Sequence, residues 1–107
     1  MLVTLPNRNP SITTRITIRT LYSGACPHSG MPLVGSWIEV AYSPAAVILG
    51  LDSVAQHLPS YAREAIDVET VAQLLARDCA EALGVPVAVN AQYILRDGIQ
   101  LWVQASR

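Results

Sequence analysis

The sequence predicts an α+β domain: a four-stranded antiparallel sheet with two helices on one face. Three observations predict it. Two stretches alternate apolar and polar residues before Ser43, a helical period runs from Asp52 to Gly84, and two more alternating stretches follow. An antiparallel sheet with one apolar face needs a cover, and the two helices can supply it.

Residues 1–10 contain Asn-Arg-Asn-Pro and read as a flexible arm ahead of a single domain over residues 11–107. From Ile12 onward, Ile12, Thr14, Ile16, Ile18, Thr20 and Tyr22 fall on one side and Thr13, Arg15, Thr17 and Arg19 on the other. Period two with many β-branched residues predicts the first strand. Ser23 to Gly35, rich in Gly, Pro and Ser, interrupts it. Ser36 to Tyr42 alternates again and stops at Ser43-Pro44. After Gly50 the period changes. Asp52 is placed to cap a short helix, and Pro59 has to kink or break that helix because it has no N–H to donate. Asp67 is the expected N-cap of a longer helix whose apolar face is Val68, Val71, Ala72, Leu75, Cys79 and Leu83. Gly84 suits the position past its end. Val87, Val89, Ala91, Tyr93 and Leu95 form the third strand, and Ile99, Leu101 and Val103 the fourth. Asp97-Gly98 between them is a strong two-residue hairpin signal. The sheet has two open edges, and pairing them with neighbouring subunits is one way to remove them.

A chain of 107 residues, 51% hydrophobic, fits one small domain with a modest core. Its net charge is −1, and all seven basic residues are Arg. That balance does not give the dense basic patch that non-specific nucleic-acid binding requires. No apolar run approaches the ~20 residues of a membrane span. Met1 to Pro10 does not read as a signal peptide, so the expectation is a cytoplasmic protein with both thiols reduced.

Chemistry concentrates in Cys26-Pro27-His28-Ser29-Gly30-Met31-Pro32-Leu33, a loop constrained by Gly and Pro between two predicted strands. A nucleophilic cysteine needs exposure and a neighbour that lowers its pKa, and His28 and Ser29 are candidates. Composition alone favours a small buried cysteine in a turn. Cys79, on the apolar stripe of the longer helix, reads as core. Cys26 and His28 are also possible zinc ligands, but a catalytic zinc needs three from the protein. Glu69, in the first turn of the longer helix, suits the helix dipole, or could accept two N–H donors from a guanine-like ring.

The run Cys26-Pro27-His28-Ser29-Gly30-Met31-Pro32 resembles the Cys-Pro-x-Thr-Gly-x-Pro-Asp segment of the QueF nitrile enzymes. It is also similar to the Cys-x-His-His-x-x-Pro-x-x-Gly segment of GTP cyclohydrolase I, with Pro32 and Gly35 in register. Val40 to Pro44, Leu49 to Ser53 and Asp67 to Thr70 resemble corresponding stretches of both families, so the likeness runs from about Leu21 to Ile99. It implies a tunnelling fold (T-fold), in which ββααββ subunits associate into β-barrels with active sites between neighbours. It also implies a homo-oligomer that binds a purine- or pterin-like ring. Cys26 maps onto the QueF nucleophile, which forms a thioimide with the nitrile of 7-cyano-7-deazaguanine. Glu69 maps onto the glutamate that anchors the ring, and Ser53 maps near the loop lining the base pocket.

The departures narrow the reaction. Leu33 stands where those enzymes have the proton-donating aspartate, which leaves His28 as a catalytic relay. The lysine-rich segment tied to NADPH corresponds to Asp52 to His57, which holds no lysine, and only Arg96 offers a basic contact. No cofactor is therefore expected, and the resemblance favours amidine formation, as in archaeosine synthesis on tRNA, over NADPH-dependent reduction. Ser29 replaces a zinc-binding histidine of the cyclohydrolases, and their second zinc-binding cysteine has no counterpart near Tyr93, so zinc is not expected. A non-catalytic module that binds a deazapurine or pterin, and a cyclohydrolase-like enzyme, are the alternatives.

Overall fold

The computed structural model describes residues 2–22, 35–64 and 67–107. Strands β1 (Thr4–Pro6), β2 (Ile16–Leu21), β3 (Trp37–Tyr42) and β4 (Val47–Leu49) precede helices α1 (Ser53–His57), α2 (Pro59–Arg63) and α3 (Val68–Leu83). Strands β5 (Val87–Ile94) and β6 (Gln100–Ser106) close the chain. The architecture is α+β. An antiparallel four-stranded sheet runs β2-β3-β5-β6, and a separate pair joins β1 to β4.

Alternation in the strands decides which face is covered. Ile18, Val40, Val89 and Ala105 form one row across the sheet, and Thr20, Ile38, Ala91 and Val103 the next. These point toward α3, whose buried stripe is Val71, Ala72, Leu75, Ala76, Cys79 and Leu83. Val54, Leu58 and Tyr61 extend that core beneath α1 and α2. The opposite face carries the row Leu21, Trp37, Gln92 and Trp102. Leu21 is 77% and Trp102 62% exposed there. Trp37 Nε1 donates to Gln92 Oε1 at 3.1 Å, and the Arg19 guanidinium lies 3.9 Å over the Trp37 ring while it pairs with Glu39.

Helix α3 ends as its sequence directs. Asp67 adopts extended backbone and accepts the Thr70 N–H at 2.9 Å, and Gly84 closes the helix in the left-handed region at φ 69°. Pro59 breaks the first helix into α1 and α2: Leu58 makes the last α-type bond, to Val54, and the missing N–H of Pro59 ends the ladder. Asp97 and Gly98 both take positive φ, 62° and 75°, which gives the tight turn between β5 and β6.

Three elements differ from expectation. Within residues 1–10, expected to be a flexible arm, Thr4–Pro6 pairs with Val47–Leu49. The first strand starts at Ile16 rather than Ile12, because its partner β3 ends at Tyr42, opposite Ile16. Asp52 does not cap α1: at φ −100° and ψ 4° its carboxylate makes no cap bond and instead accepts from Gln56 Nε2. Among the described residues, no helix is long and apolar enough to cross a membrane.

Candidate functional site

Cys26, His28 and Leu33 lie outside the described residues, but both ends of their segment are fixed on the sheet. Tyr22, which ends the first run, donates its N–H to the Ser36 carbonyl at 2.9 Å. Ser36 is wholly buried, and its Oγ accepts the Ile94 N–H at 2.8 Å. One serine thus ties the end of β2 and the end of β5 to the start of β3. Gly35 enters this corner at φ 100°, where an added Cβ would come within 3.0 Å of Ile94 Cδ1. Only glycine fits that turn without displacing a neighbour.

Glu69 lies at the same end of the sheet. The Tyr22 and Tyr93 rings meet at 6.0 Å between centroids, and the Tyr93 hydroxyl donates to the Val68 carbonyl at 3.0 Å. Glu69 follows immediately in the first turn of α3 and is exposed. Burial raises the Tyr93 pKa, with added contributions from Tyr22 and from the Glu69 charge, so this hydroxyl stays protonated at ordinary pH. Burial also pushes Tyr22 up to about 12. Its hydroxyl has no hydrogen-bond partner among the described residues. The first turn itself is held by Asp67, whose carboxyl the Thr70 side chain, and then the Thr70 backbone, keep below the usual value.

Ser53 is placed differently. It is 1% exposed at the start of α1, and its Oγ accepts the Val3 N–H at 2.6 Å. That bond fastens the N-terminal segment to the helix, while the hydroxyl keeps its own proton to donate. Cys79 is fully buried, and burial, followed by the Asp78 charge, pushes its thiol up to about 12. It packs in the core, as its position on the helical stripe implies.

Sequence reasoning missed a polar cluster between the helices. The Tyr61 hydroxyl donates to Asp78 Oδ2 at 2.5 Å, and His57 Nε2 lies 2.9 Å from the Tyr61 oxygen and 3.1 Å from the same carboxylate oxygen. Nε2 faces a carboxylate oxygen and donates to it, while Nδ1 is buried with no partner among the described residues. Arg77 donates twice to the other carboxylate oxygen. Burial opposes ionisation of Asp78, yet the bonds from Tyr61, His57 and Arg77 hold its pKa below the ordinary value. The cluster fixes α1 and α2 against α3. The i, i+4 spacing of His57 and Tyr61 hinted at it, but nothing local pointed to Asp78.

Among the described residues, no three His, Cys, Asp or Glu side chains gather closely enough to hold a metal ion. No family model matches the chain. A protein of Syntrophus aciditrophicus (strain SB), named NADPH-dependent 7-cyano-7-deazaguanine reductase, is 33% identical to it over 106 residues. The match covers 97% of this chain and 75% of that relative.

Proposed function

Because the chain belongs to the family of QueF-like 7-cyano-7-deazaguanine enzymes, we propose that it acts on the nitrile of that base through a Cys26 thioimide. The Cys26 thiol adds across the C≡N bond: a C–S bond forms, one π bond opens, and the thiol proton ends on nitrogen. His28 relays that proton in place of the aspartate that Leu33 replaces. Glu69 holds the base by its Watson–Crick edge, and Ser53 supports the loop that lines the base pocket through its bond to Val3. The observation that carries this reading is the chain of contacts from Tyr22 through Tyr93 to Val68. It brings the first turn of α3 to the end of the sheet from which the Cys26 segment departs.

An amine or ammonia then displaces the sulfur, giving an amidine and returning the thiol. The absence of lysine and arginine from Asp52 to His57, the stretch that corresponds to the NADPH-linked segment, supports this outcome over reduction, since anchoring the phosphates of NADPH relies on cationic side chains. The base is free or part of tRNA. Reduction is the second reading, and the name of the Syntrophus relative favours it.

The subunits adopt the T-fold and form a homo-oligomer with sites between neighbours. Strands β2 and β6 end the four-stranded sheet as free edges, and Leu21 and Trp102 stand exposed on its helix-free face among the described residues. The test is incubation with 7-cyano-7-deazaguanine followed by intact mass measurement. An adduct of the base's mass, absent from Cys26→Ala, is expected; an unmodified wild-type protein refutes the reading. Product analysis with ammonia or with NADPH then separates amidine from amine.

A further inference from the structure

Resting on that reading, we propose that Tyr93 is the positioning residue for Glu69: its hydroxyl, tied to the Val68 carbonyl, sets where the first turn of α3 presents the carboxylate. The Asp67 cap closes the helix on itself through Thr70 and does not tie it to the sheet. The Tyr93 bond does, because Tyr93 belongs to β5 and Val68 is the first residue of α3. The Val68 carbonyl has two lone pairs, so it serves the helical ladder and still accepts from Tyr93. The Tyr93 ring cannot drift. It is fully buried, it faces Leu101 on β6, and Tyr22 packs against it at an interplanar angle of 60°.

This matters at Glu69 because first-turn residues have the fewest intrahelical bonds and fray first. A carboxylate that takes two N–H donors from a flat ring tolerates little displacement. A tether one residue away, on a buried ring, restrains the turn without occupying the ligand's space. Protonation of the Tyr93 hydroxyl at all working pH values keeps the donor in place.

The test uses Tyr93→Phe, which keeps the ring and removes only the donor. In ligand-free protein, amide exchange at Thr70 and Val71 is expected to speed up about three- to tenfold, while amides from Leu75 to Leu83 keep their rates. Unchanged exchange at Thr70 and Val71 overturns the proposal, whether or not the protein binds a base. Titration with 7-cyano-7-deazaguanine is expected to show affinity about fivefold weaker in Tyr93→Phe. The double variant with Glu69→Gln should bind no worse than Glu69→Gln alone. Losses that simply add, so that the two residues act independently, also overturn it. Tyr22→Phe removes a hydroxyl with no partner among the described residues and is expected to leave exchange and affinity alone; the same effects from Tyr22→Phe would count against a specific role for Tyr93. If wild-type protein binds no base, the function proposed above falls, and the exchange measurement still decides whether Tyr93 positions the turn.

Discussion

Ser36 Oγ, on a wholly buried side chain, receives the Ile94 N–H at 2.8 Å. Ser36→Ala leaves that part-buried backbone donor without its acceptor. The expected cost is about 1–3 kcal/mol, the desolvation penalty of an orphaned amide. Urea unfolding measures it, and a loss below about 0.5 kcal/mol would show that the corner relaxes to find another acceptor.

Three glycines with positive φ should rank by surroundings as well as by backbone. At Gly84 and Gly98 a Cβ meets nothing within 4 Å, whereas at Gly35 it meets Ile94 Cδ1 at 3.0 Å. Alanine at Gly84 or Gly98 therefore costs only the left-handed backbone term, about 1 kcal/mol. Gly35→Ala adds a steric shift at the end of β5 and should reach about 2–3 kcal/mol. Thermal unfolding of the three variants checks the order. An equal loss at all three positions would mean that Ile94 moves aside freely.

The legible parts of this fold are those where one short segment holds all the information. Asp67 and Gly84 bracket α3 in both sequence and structure, Pro59 divides the first helix, and Asp97-Gly98 takes the two positive φ angles its type demands. Glu69 could be placed in a first turn for the same reason. Strands β1 and β4 escaped notice because each has three residues, too few for alternation to register, and each needs the other from a distant part of the chain. Ser53 is anchored by Val3, a partner that no motif contains. The bond between Asp78 and Tyr61 joins two helices that local patterns treat separately. Of the proposed site, Cys26 and His28 rest on the sequence motif, while the structure contributes the corner from which their segment leaves.

The Tyr61–Asp78–His57 cluster predicts an acid-sensitive contribution to stability. Asp78 has its pKa lowered on folding, so its stabilisation is fully present above the unfolded aspartate value of about 3.9 and is lost as pH falls through the lower folded value. Asp78→Ala should cost about 1.5–3 kcal/mol at pH 7, the range for hydrogen bonds to a charged group. Urea titrations at successive pH values should show that gap narrowing below about pH 4. A gap that persists unchanged to pH 2.5 would assign the effect to lost packing.

The two thiols should separate cleanly under alkylation. Cys79 is fully buried and its pKa is pushed up to about 12, so at pH 8 its thiolate fraction is on the order of one in ten thousand, behind a closed core. A Cys26 that serves as nucleophile is accessible and partly ionised at the same pH. Iodoacetamide at pH 8 is therefore expected to add one label to native protein, at Cys26, and a second only after denaturation. Preincubation with 7-cyano-7-deazaguanine should block the first label and leave the second unchanged. Labelling of Cys79 ahead of Cys26, or an inert Cys26 in the native state, would make both cysteines packing residues and remove the nucleophile from the mechanism. Because Cys79 is silent in the folded state, each label counted before unfolding reports on Cys26 alone, and no cysteine-free background is needed to read the result.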